Sequence, residues 1–359
     1  MLAANWAPQL VLVLFGGVFA DRLPRHLVMV GSNAISAAAQ GAIAVLLLTG
    51  SAKLWHLIAL QVLRGAAFSF FFPASQGLVP QTVPASLLQQ ANALLGMSRN
   101  ATSVLGAALG GVLVAAASPG WALALDAATY LLSAAVLAAM HLPSRARSVE
   151  TPNVLRELVE GWGEFVSRRW LWAIVAAAGV GNIAWTGASS VYGPLVAKES
   201  LGGAAAWGAI VASEGAGLLL GGVLLLRWRP QRPLFVGTAA LTTGAIPLLF
   251  LASLRSTAPI AAAFLVAGAA LEFFNTSWAT SLQEHVPLDK LSRVSSYDAL
   301  GSFVFIPLGL SIAGPIADAI GLSHALWLAA AVDAGSVLCA LAGREVRELR
   351  RLDPAAVAT

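Results

Sequence analysis

The chain has 359 residues, of which 58% are hydrophobic and 11% are charged, and its formal net charge is +4. Soluble domains carry about 25% charged residues, so this composition excludes a soluble protein. The basic balance does not indicate nucleic acid binding, because lysines and arginines fall in short clusters between apolar segments. The single cysteine, Cys339, excludes a disulfide framework and a cysteine-based metal site.

Long apolar segments separated by polar residues, proline or glycine run through the whole chain. A membrane-spanning helix needs about 20 mostly apolar residues, and these segments lack the alternating pattern of barrel strands. The sequence therefore predicts an all-α membrane protein with eleven spans. They lie near residues 4–20, 27–49, 55–79, 91–117, 121–141, 170–197, 203–226, 233–253, 258–282, 291–315 and 322–342.

Lysine and arginine set the predicted orientation, because short loops rich in these residues stay in the cytoplasm. One set of loops and the C-terminal tail carry most of them: Arg22, Arg25, Arg145, Arg147, Arg156, Arg168, Arg169, Arg227, Arg229, Arg232, Lys290, Arg293, Arg344, Arg347, Arg350 and Arg351. The opposite set carries Lys53, Lys198 and Arg255. We therefore expect the tail to be cytoplasmic and the N-terminus of this chain to face outside.

An internal repeat relates the two parts of the chain. Phe70-Phe71 and Val83-Pro84 recur as Phe273-Phe274 and Val286-Pro287, 203 residues later (273 − 70), and Gly16-Gly17-Val18 recurs as Gly221-Gly222-Val223, 205 residues later (221 − 16). Applied to the span at 170–197, this offset places the partner span before the start of the chain. We therefore expect a design of 6 + 6 spans with 5 + 6 present, the first helix being absent.

Two pseudo-symmetric helical bundles follow from this repeat. The predicted N-terminal transmembrane half is 1–141, and the predicted C-terminal half is 170–343. Residues 142–169 form a predicted cytoplasmic linker and 344–359 a cytoplasmic tail. Within the linker, 154–165 is predicted to be a short amphipathic helix with Thr151 or Asn153 as its N-cap.

The loop after the first span reads Gly17-Val18-Phe19-Ala20-Asp21-Arg22-Leu23-Pro24-Arg25-His26. It resembles the G-x-L-A-D-R-x-G-R-R/K signature of major facilitator transporters, with departures at Phe19, Pro24 and His26. The resemblance implies a gating loop that latches the cytoplasmic ends of the two halves through Gly17, Asp21, Arg22 and Arg25. A glycine permits close helix approach, and an aspartate at a helix end can pair with arginine or with a facing helix N-terminus. The alternative is a basic topological anchor without a gating role.

The run Gly106-Ala107-Ala108-Leu109-Gly110-Gly111 resembles the G-P-x-x-G-G signature of exporters in this family, with Ala107 in place of proline. Gly106, Gly110 and Gly111 are accordingly predicted to be a helix-packing motif, although ordinary packing of small residues explains the pattern equally well. In the stretches Pro73 to Pro84, Gln90 to Leu94, Leu109 to Gly111 and Leu125 to Ala134, the chain resembles the branch of enterobactin exporters and of drug and macrolide efflux proteins.

Ionisable side chains inside spans are costly and are therefore functional candidates. A carboxylate in apolar surroundings can take up and release a proton, as coupling to a proton gradient requires. The candidates for proton coupling or for the substrate cavity are Arg64, Asp126, Glu214 and Glu272. Structural ion pairs that hold the bundle together are the alternative for each of them.

The resemblance implies a secondary active transporter in the bacterial inner membrane. We expect a proton-coupled exporter of small bulky or partly apolar molecules, such as drugs, macrolides or siderophores, that works by alternating access. The expected partners are a small-molecule substrate, the lipid bilayer and protons, without nucleic acid, and we expect a monomer. No cofactor, metal site or catalytic residue is expected, since the sequence carries no catalytic motif. The alternatives are a permease subunit of an ATP-driven complex, a membrane-embedded enzyme, or an inactive truncated transporter.

Overall fold

The predicted spans are helices in the computed structural model, which describes residues 2–142, 153–253 and 256–352. The helices before the linker are α1 (Leu2–Arg22), α2 (Arg25–Leu48), α3 (Leu54–Thr82), α4 (Leu88–Ala116) and α5 (Pro119–Ala138), and the linker helix is α6 (Val154–Ser167). Those after it are α7 (Arg169–Leu201), α8 (Ala204–Arg227), α9 (Pro233–Ser253), α10 (Thr257–His285), α11 (Leu291–Ile320), α12 (Leu322–Ala342) and α13 (Arg344–Glu348). The described ranges contain no strand.

Ten of these helices, α2 to α5 and α7 to α12, are long and apolar enough to cross a membrane. Helix α1 coincides with the remaining predicted span, 4–20, which is the first along the chain. The all-α membrane fold is therefore confirmed, whereas the 5 + 6 division of the spans stays a prediction.

The linker helix begins where the sequence predicted. The Oδ1 atom of Asn153 accepts the backbone N–H groups of Leu155 at 3.1 Å and Arg156 at 3.3 Å, as an N-cap side chain does. The alternative cap, Thr151, lies outside the described residues, as do Arg145, Arg147 and Arg255.

Proline and glycine set several helix boundaries. Pro119 and Pro233 are the first residues of α5 and α9, where the missing N–H of proline costs no hydrogen bond. Gly202 and Gly203, with φ angles of +97° and +87°, separate α7 from α8, and Gly321, with φ +83°, separates α11 from α12. Only glycine adopts these angles readily, so each of these residues ends a span at a defined point.

The described residues fall into two compact units. Unit 1 comprises the described residues within 1–84, 105–167 and 286–300, so it contains the second part of α4 and the first part of α11. Within it, α2 packs against α3 and α5, and α1 packs against α3. One of its apolar clusters contains Ala20, Met29, Ala74 and Leu78.

Unit 2 comprises the described residues within 85–104, 168–285 and 301–359. Its most extensive contact joins α8 to α10, and α12 packs against α7 and α9. A large apolar core includes Tyr192, Ile210, Leu248, Phe264 and Leu326, all almost completely buried. The first part of α4 joins this unit through Ala93, which packs with Leu225 and Phe273.

Candidate functional site

Asp21 lies in the last turn of α1, beyond the apolar residues of that helix, and its side chain is only 4% exposed. Its Oδ1 atom accepts a hydrogen bond from Arg25 Nη2 at 2.6 Å. Its Oδ2 atom accepts from the backbone N–H of Arg293 at 3.2 Å and from Arg293 Nε at 3.3 Å. Arg293 is the third residue of α11, where backbone N–H groups lack partners within the helix. The carboxylate therefore pairs with two arginines and with a helix N-terminus.

Arg25, the first residue of α2, is buried and uses its whole guanidinium group. Besides the bond to Asp21, Nη2 donates to the carbonyl of Leu288 at 2.6 Å, and Nη1 donates to the carbonyl of Gly77 at 2.8 Å. Its Nε atom donates to Ser292 Oγ at 3.1 Å. These contacts tie the ends of α1, α2 and α3 to the start of α11. We call Asp21, Arg25, Ser292 and Arg293 the Asp21 network.

Burial raises the pKa of the Asp21 carboxyl, and the guanidinium groups of Arg25 and Arg293 limit this rise by favouring the charged form. A buried ion pair adds little net stability, since desolvation offsets the attraction between the charges. Removing one partner costs much more, because the other charge is left buried. We therefore expect the network to favour one arrangement of these helix ends rather than to add much net stability.

Two glycines make room for the network. A Cβ atom at Gly17 would meet the carbonyl oxygen of Ser292 at 2.8 Å and Arg293 Cα at 2.9 Å, so α1 and α11 touch at backbone distance. A Cβ atom at Gly77 would collide with the guanidinium of Arg25. Both positions require glycine because no larger side chain fits without moving a helix or displacing the arginine.

Arg22, the next residue of the loop motif, points to a different partner. Its Nε and Nη2 atoms donate to Glu157 Oε1 of α6 at 3.0 and 2.8 Å. Lys290 Nζ donates to Glu164 Oε2 at 2.8 Å, which joins α6 to the start of α11. All four loop residues predicted from the motif thus lie in one region of unit 1, and α6 is attached to it by ion pairs.

Several residues of this region were not predicted from the sequence as site residues: Gly77, Glu157, Ser292 and Arg293. Arg293 was predicted only as a cytoplasmic charge, and no local pattern marks Gly77 as the neighbour of an arginine 52 residues away. The internal repeat offers a signal for the α11 residues, since it identifies the start of that span as an element with a counterpart at the start of α4.

Arg64 and Asp126 are connected through a third side chain. Gln40 Nε2 donates to Asp126 Oδ2 at 2.7 Å, and Arg64 Nη1 donates to Gln40 Oε1 at 3.3 Å. The Arg64 guanidinium also lies 6.0 Å from the centre of the Tyr130 ring. Gln40 thus links one positive and one negative group within unit 1, on helices α2, α3 and α5.

Glu272 of α10 is 4% exposed and is the most fully buried of the four candidates. Its Oε2 atom accepts from Asn100 Nδ2 of α4 at 2.9 Å, and its Oε1 atom accepts from Thr276 Oγ1 at 3.0 Å. A Cβ atom at Gly96 would overlap the carboxylate, so glycine at 96 creates the space that Glu272 occupies. The carboxylate is therefore positioned by residues from two helices of unit 2.

Glu214 lies on α8 in the same unit and is half-buried. Its backbone carbonyl packs where a Cβ atom of Gly268 would be, which marks a close crossing of α8 and α10. Arg64 and Asp126 belong to unit 1, whereas Glu214 and Glu272 belong to unit 2. The four candidates therefore form two separate groups.

The glycines of the predicted packing motif make no close helix contact among the described residues. No described heavy atom lies within 4 Å of a Cβ atom placed at Gly106, Gly110 or Gly111. Close packing occurs instead at Gly217 and Gly221, which meet the carbonyl oxygens of Leu265 and Ala269. In this conformation the motif of α4 faces open space, so its packing role stays a prediction.

Comparisons with known proteins agree with this architecture. A family model described as Major Facilitator Superfamily matches residues 1–310. The chain belongs to the Major Facilitator Superfamily. It is 22% identical to macrolide efflux protein A of Streptococcus pyogenes, over 94% of this chain and 84% of that protein. It is 27% identical to the multidrug efflux pump Tap of Mycolicibacterium fortuitum, over 91% of this chain and 81% of that pump.

The fold is shared with solved transporter structures of low sequence identity. The fucose:proton symporter FucP of E. coli aligns with a TM-score of 0.74 at 15% identity, over 94% of this chain and 89% of that one. The chain is thus a multi-pass cell membrane protein of a transporter family, and its relatives include drug and macrolide efflux proteins.

Proposed function

We propose that this protein is a proton-coupled exporter of small, bulky or partly apolar molecules, in the class of drugs, macrolides or siderophores. The observation that carries the proposal is the Asp21 network in a chain whose relatives include macrolide and multidrug efflux proteins. Buried charges at the ends of spans suit a gate, because their hydrogen bonds are specific in one state and can be exchanged for water in another.

The proposed gate closes the cytoplasmic ends of the helices. The predicted orientation places the loop with Asp21 and Arg25 on the cytoplasmic side, and Gly17 brings α1 and α11 together beside it. In alternating access this contact would hold the outward-facing state and would open when the substrate site faces the cytoplasm. Export requires this cycle to be driven against the substrate gradient.

Glu272 is the carboxylate we propose for proton coupling. It lies inside a span, it is buried, and Asn100 and Thr276 fix its orientation without a paired cation at hydrogen-bond distance among the described residues. Burial disfavours the charged form of a carboxylate, whereas the donors Asn100 and Thr276 and the charge of Arg99 favour it, so a change in these contacts during a transport cycle can load or release a proton. Glu214 and Asp126 are the further candidates.

Transport by purified protein in proteoliposomes tests the proposal. A radiolabelled macrolide is the probe, and its uptake is compared with and without an imposed proton gradient. We expect gradient-dependent transport that Glu272→Gln lowers at least about tenfold, which corresponds to ~1.4 kcal/mol of barrier. The control is Glu348→Gln, which makes the same change at an exposed carboxylate of α13.

Three results would contradict parts of the proposal. Equal macrolide transport with and without the gradient would remove proton coupling. Transport that instead requires ATP and a second protein would favour the permease alternative. Unchanged transport in Glu272→Gln, with gradient dependence retained, would move the coupling role to Glu214 or Asp126.

A further inference from the structure

Helix α6 has one face that is attached to the rest of unit 1. Glu157 pairs with Arg22, and Glu164 pairs with Lys290. Between them, Gly161 lies against the side chains of Arg293 and Tyr297, and the Phe165 ring is buried. This docked face holds the helix against the end of α1 and the start of α11.

A second face of α6 is apolar and exposed. Leu155, Val159, Trp162 and Val166 are 70%, 69%, 51% and 40% exposed. Their spacing of four, three and four residues places them in one stripe along the helix, since each residue turns the helix by about 100°. Four large apolar side chains in one continuous stripe are costly to leave in water. We call these four residues the α6 stripe.

A third face of the same helix is exposed and polar. It contains Arg156, Glu160, Gly163 and Ser167, of which Arg156 and Glu160 form an ion pair at 2.9 Å. The exposed surface of α6 thus consists of one apolar face, the α6 stripe, and one separate polar face. The sequence separates apolar from polar residues on the part of α6 that unit 1 leaves uncovered.

The position of α6 along the chain indicates what covers the stripe. Ser167 is followed by Arg168 and then by Arg169, the first residue of the span α7. The docked face contacts Arg22 at the end of α1 and Lys290 just before the span α11. Helix α6 is therefore fixed at the level where spans leave the bilayer, which is the depth of the lipid headgroups.

We infer that the α6 stripe inserts into the boundary between headgroups and acyl chains of the cytoplasmic leaflet, so that α6 lies flat on the membrane surface. Amphipathic helices bind bilayers in this way, and tryptophan is favoured at that depth. Arg156 and Arg169 are both exposed and lie at the two ends of the helix, where they suit anionic headgroups. The inference requires a membrane protein, as the family shows, and it does not depend on the proposed substrate or on proton coupling.

Site-directed spin labelling of the full chain in lipid nanodiscs tests this inference. Cys339→Ser first removes the only cysteine of the chain. Single cysteines are then introduced by Val159→Cys or Leu155→Cys in the stripe and by Gly163→Cys on the polar face. Gly163 is a matched control because it is exposed on the same helix and no heavy atom lies within 4 Å of a Cβ atom there.

We expect labels at 155 and 159 to be accessible to oxygen and protected from a water-soluble nickel chelate, and the label at 163 to show the opposite. The contrast should increase severalfold when phosphatidylglycerol replaces part of the phosphatidylcholine.

Equal chelate access at 159 and 163 would place the stripe in water and overturn the inference. Protection of the stripe from both reagents, with dipolar broadening between labels, would instead assign it to contact with a second copy of the chain and overturn it too. Insertion without any effect of phosphatidylglycerol would overturn the assignment of Arg156 and Arg169 to anionic headgroups.

Discussion

Asp21 pairs with Arg25 and Arg293, and substitution of Asp21 does not affect these two arginines equally. Arg25 keeps hydrogen bonds to the Gly77 and Leu288 carbonyls when Asp21 changes, but it loses its 2.6 Å contact with the Asp21 carboxylate. Arg293 retains Glu160 at 3.7 Å, although that carboxylate is 45% exposed. Loss of the Asp21 charge should therefore affect Arg25 most.

We expect Asp21→Asn to lower the free energy of unfolding by about 3 kcal/mol, because the buried Arg25 guanidinium loses its ion pair with Asp21. Thermal unfolding of detergent-solubilised protein measures this as a fall in the transition temperature. The Arg344–Glu348 pair provides the control, since both side chains are more than half exposed and Glu348→Gln should leave that temperature unchanged. Equal transition temperatures for the two variants would show that the Asp21 pair contributes no more than a surface pair.

The sequence identified the first half of the Asp21 network and not the second. Gly17, Asp21, Arg22 and Arg25 lie within nine residues of chain, so a local signature is sufficient to find them. Arg293 lies 272 residues from Asp21, and its contact depends on how α1 and α11 pack. A single sequence contains no signal for such a distance except the internal repeat, which relates spans to each other and not to their partners.

At the scale of helices, the close contact between α8 and α10, which we call the α8–α10 seam, depends on three glycines. A Cβ atom at Gly217 would meet the Leu265 carbonyl, one at Gly221 the Ala269 carbonyl, and one at Gly268 the Glu214 carbonyl. Backbone contacts of this kind are how membrane helices associate, because lipid offers no hydrophobic drive between them. The seam therefore positions both Glu214 and Glu272, which lie on its two helices.

Gly217→Ala should separate these helices and lower the transition temperature of thermal unfolding, with a cost of about 1–3 kcal/mol for overpacking. Gly208→Ala is a matched control on the same helix, because no heavy atom lies within 4 Å of a Cβ atom at that position. In Gly208→Ala we expect no loss, and a small gain is consistent with the higher helix propensity of alanine. A Gly217→Ala protein as stable as Gly208→Ala would contradict the close contact seen between the backbones.

The helix-scale predictions are confirmed where composition decides them. Apolar length located the spans, and Asn153 was correctly among the two predicted caps of α6. Small-residue patterns were less informative. The motif at Gly106, Gly110 and Gly111 faces open space here, whereas Gly217 carries the close contact without having been predicted. Small residues permit contact, and only the arrangement of neighbouring helices determines which of them are used.

At the scale of the whole molecule, the internal repeat relates the start of α11 to the start of α4, and the two helix starts make chemically different contacts. Ser292 and Arg293 at the start of α11 belong to the ionic Asp21 network. The residue that corresponds to Ser292 is Gln89 (292 − 203), at the start of α4. Gln89 Nε2 donates to the carbonyls of Leu225 at 2.7 Å and Trp228 at 2.8 Å, at the end of α8. A neutral amide thus caps the end of α8 where a carboxylate stands at the end of α1.

The chain near its C-terminal end reinforces this neutral contact. Arg351 Nη2 donates to Gln89 Oε1 at 2.8 Å, its Nε atom donates to Glu284 at 3.3 Å, and its backbone N–H donates to the Gln231 carbonyl at 3.0 Å. The Glu284 side chain is 4% exposed. Arg351 therefore supplies the positive charge for a buried carboxylate and fastens the residues after α13 to unit 2.

Arg351→Ala should lower the free energy of unfolding by ~1–3 kcal/mol, because the Glu284 carboxylate is left without its cation. Arg347→Ala removes the same type of side chain from an exposed position four residues earlier and should have little effect on thermal unfolding. Adding Glu284→Gln to Arg351→Ala should recover part of the loss. A double variant no more stable than Arg351→Ala would mean that uncompensated charge is not the cause.

The contact between Gly96 and Glu272 also limits which substitutions these two positions can accept during evolution. A side chain at position 96 would occupy the space that the carboxylate at 272 fills, and a shorter residue at 272 would leave that space empty. We therefore expect a substitution at either position alone to be more costly than a matched pair of substitutions. Among related chains, positions 96 and 272 should co-vary, with glycine at 96 accompanying an acidic residue at 272.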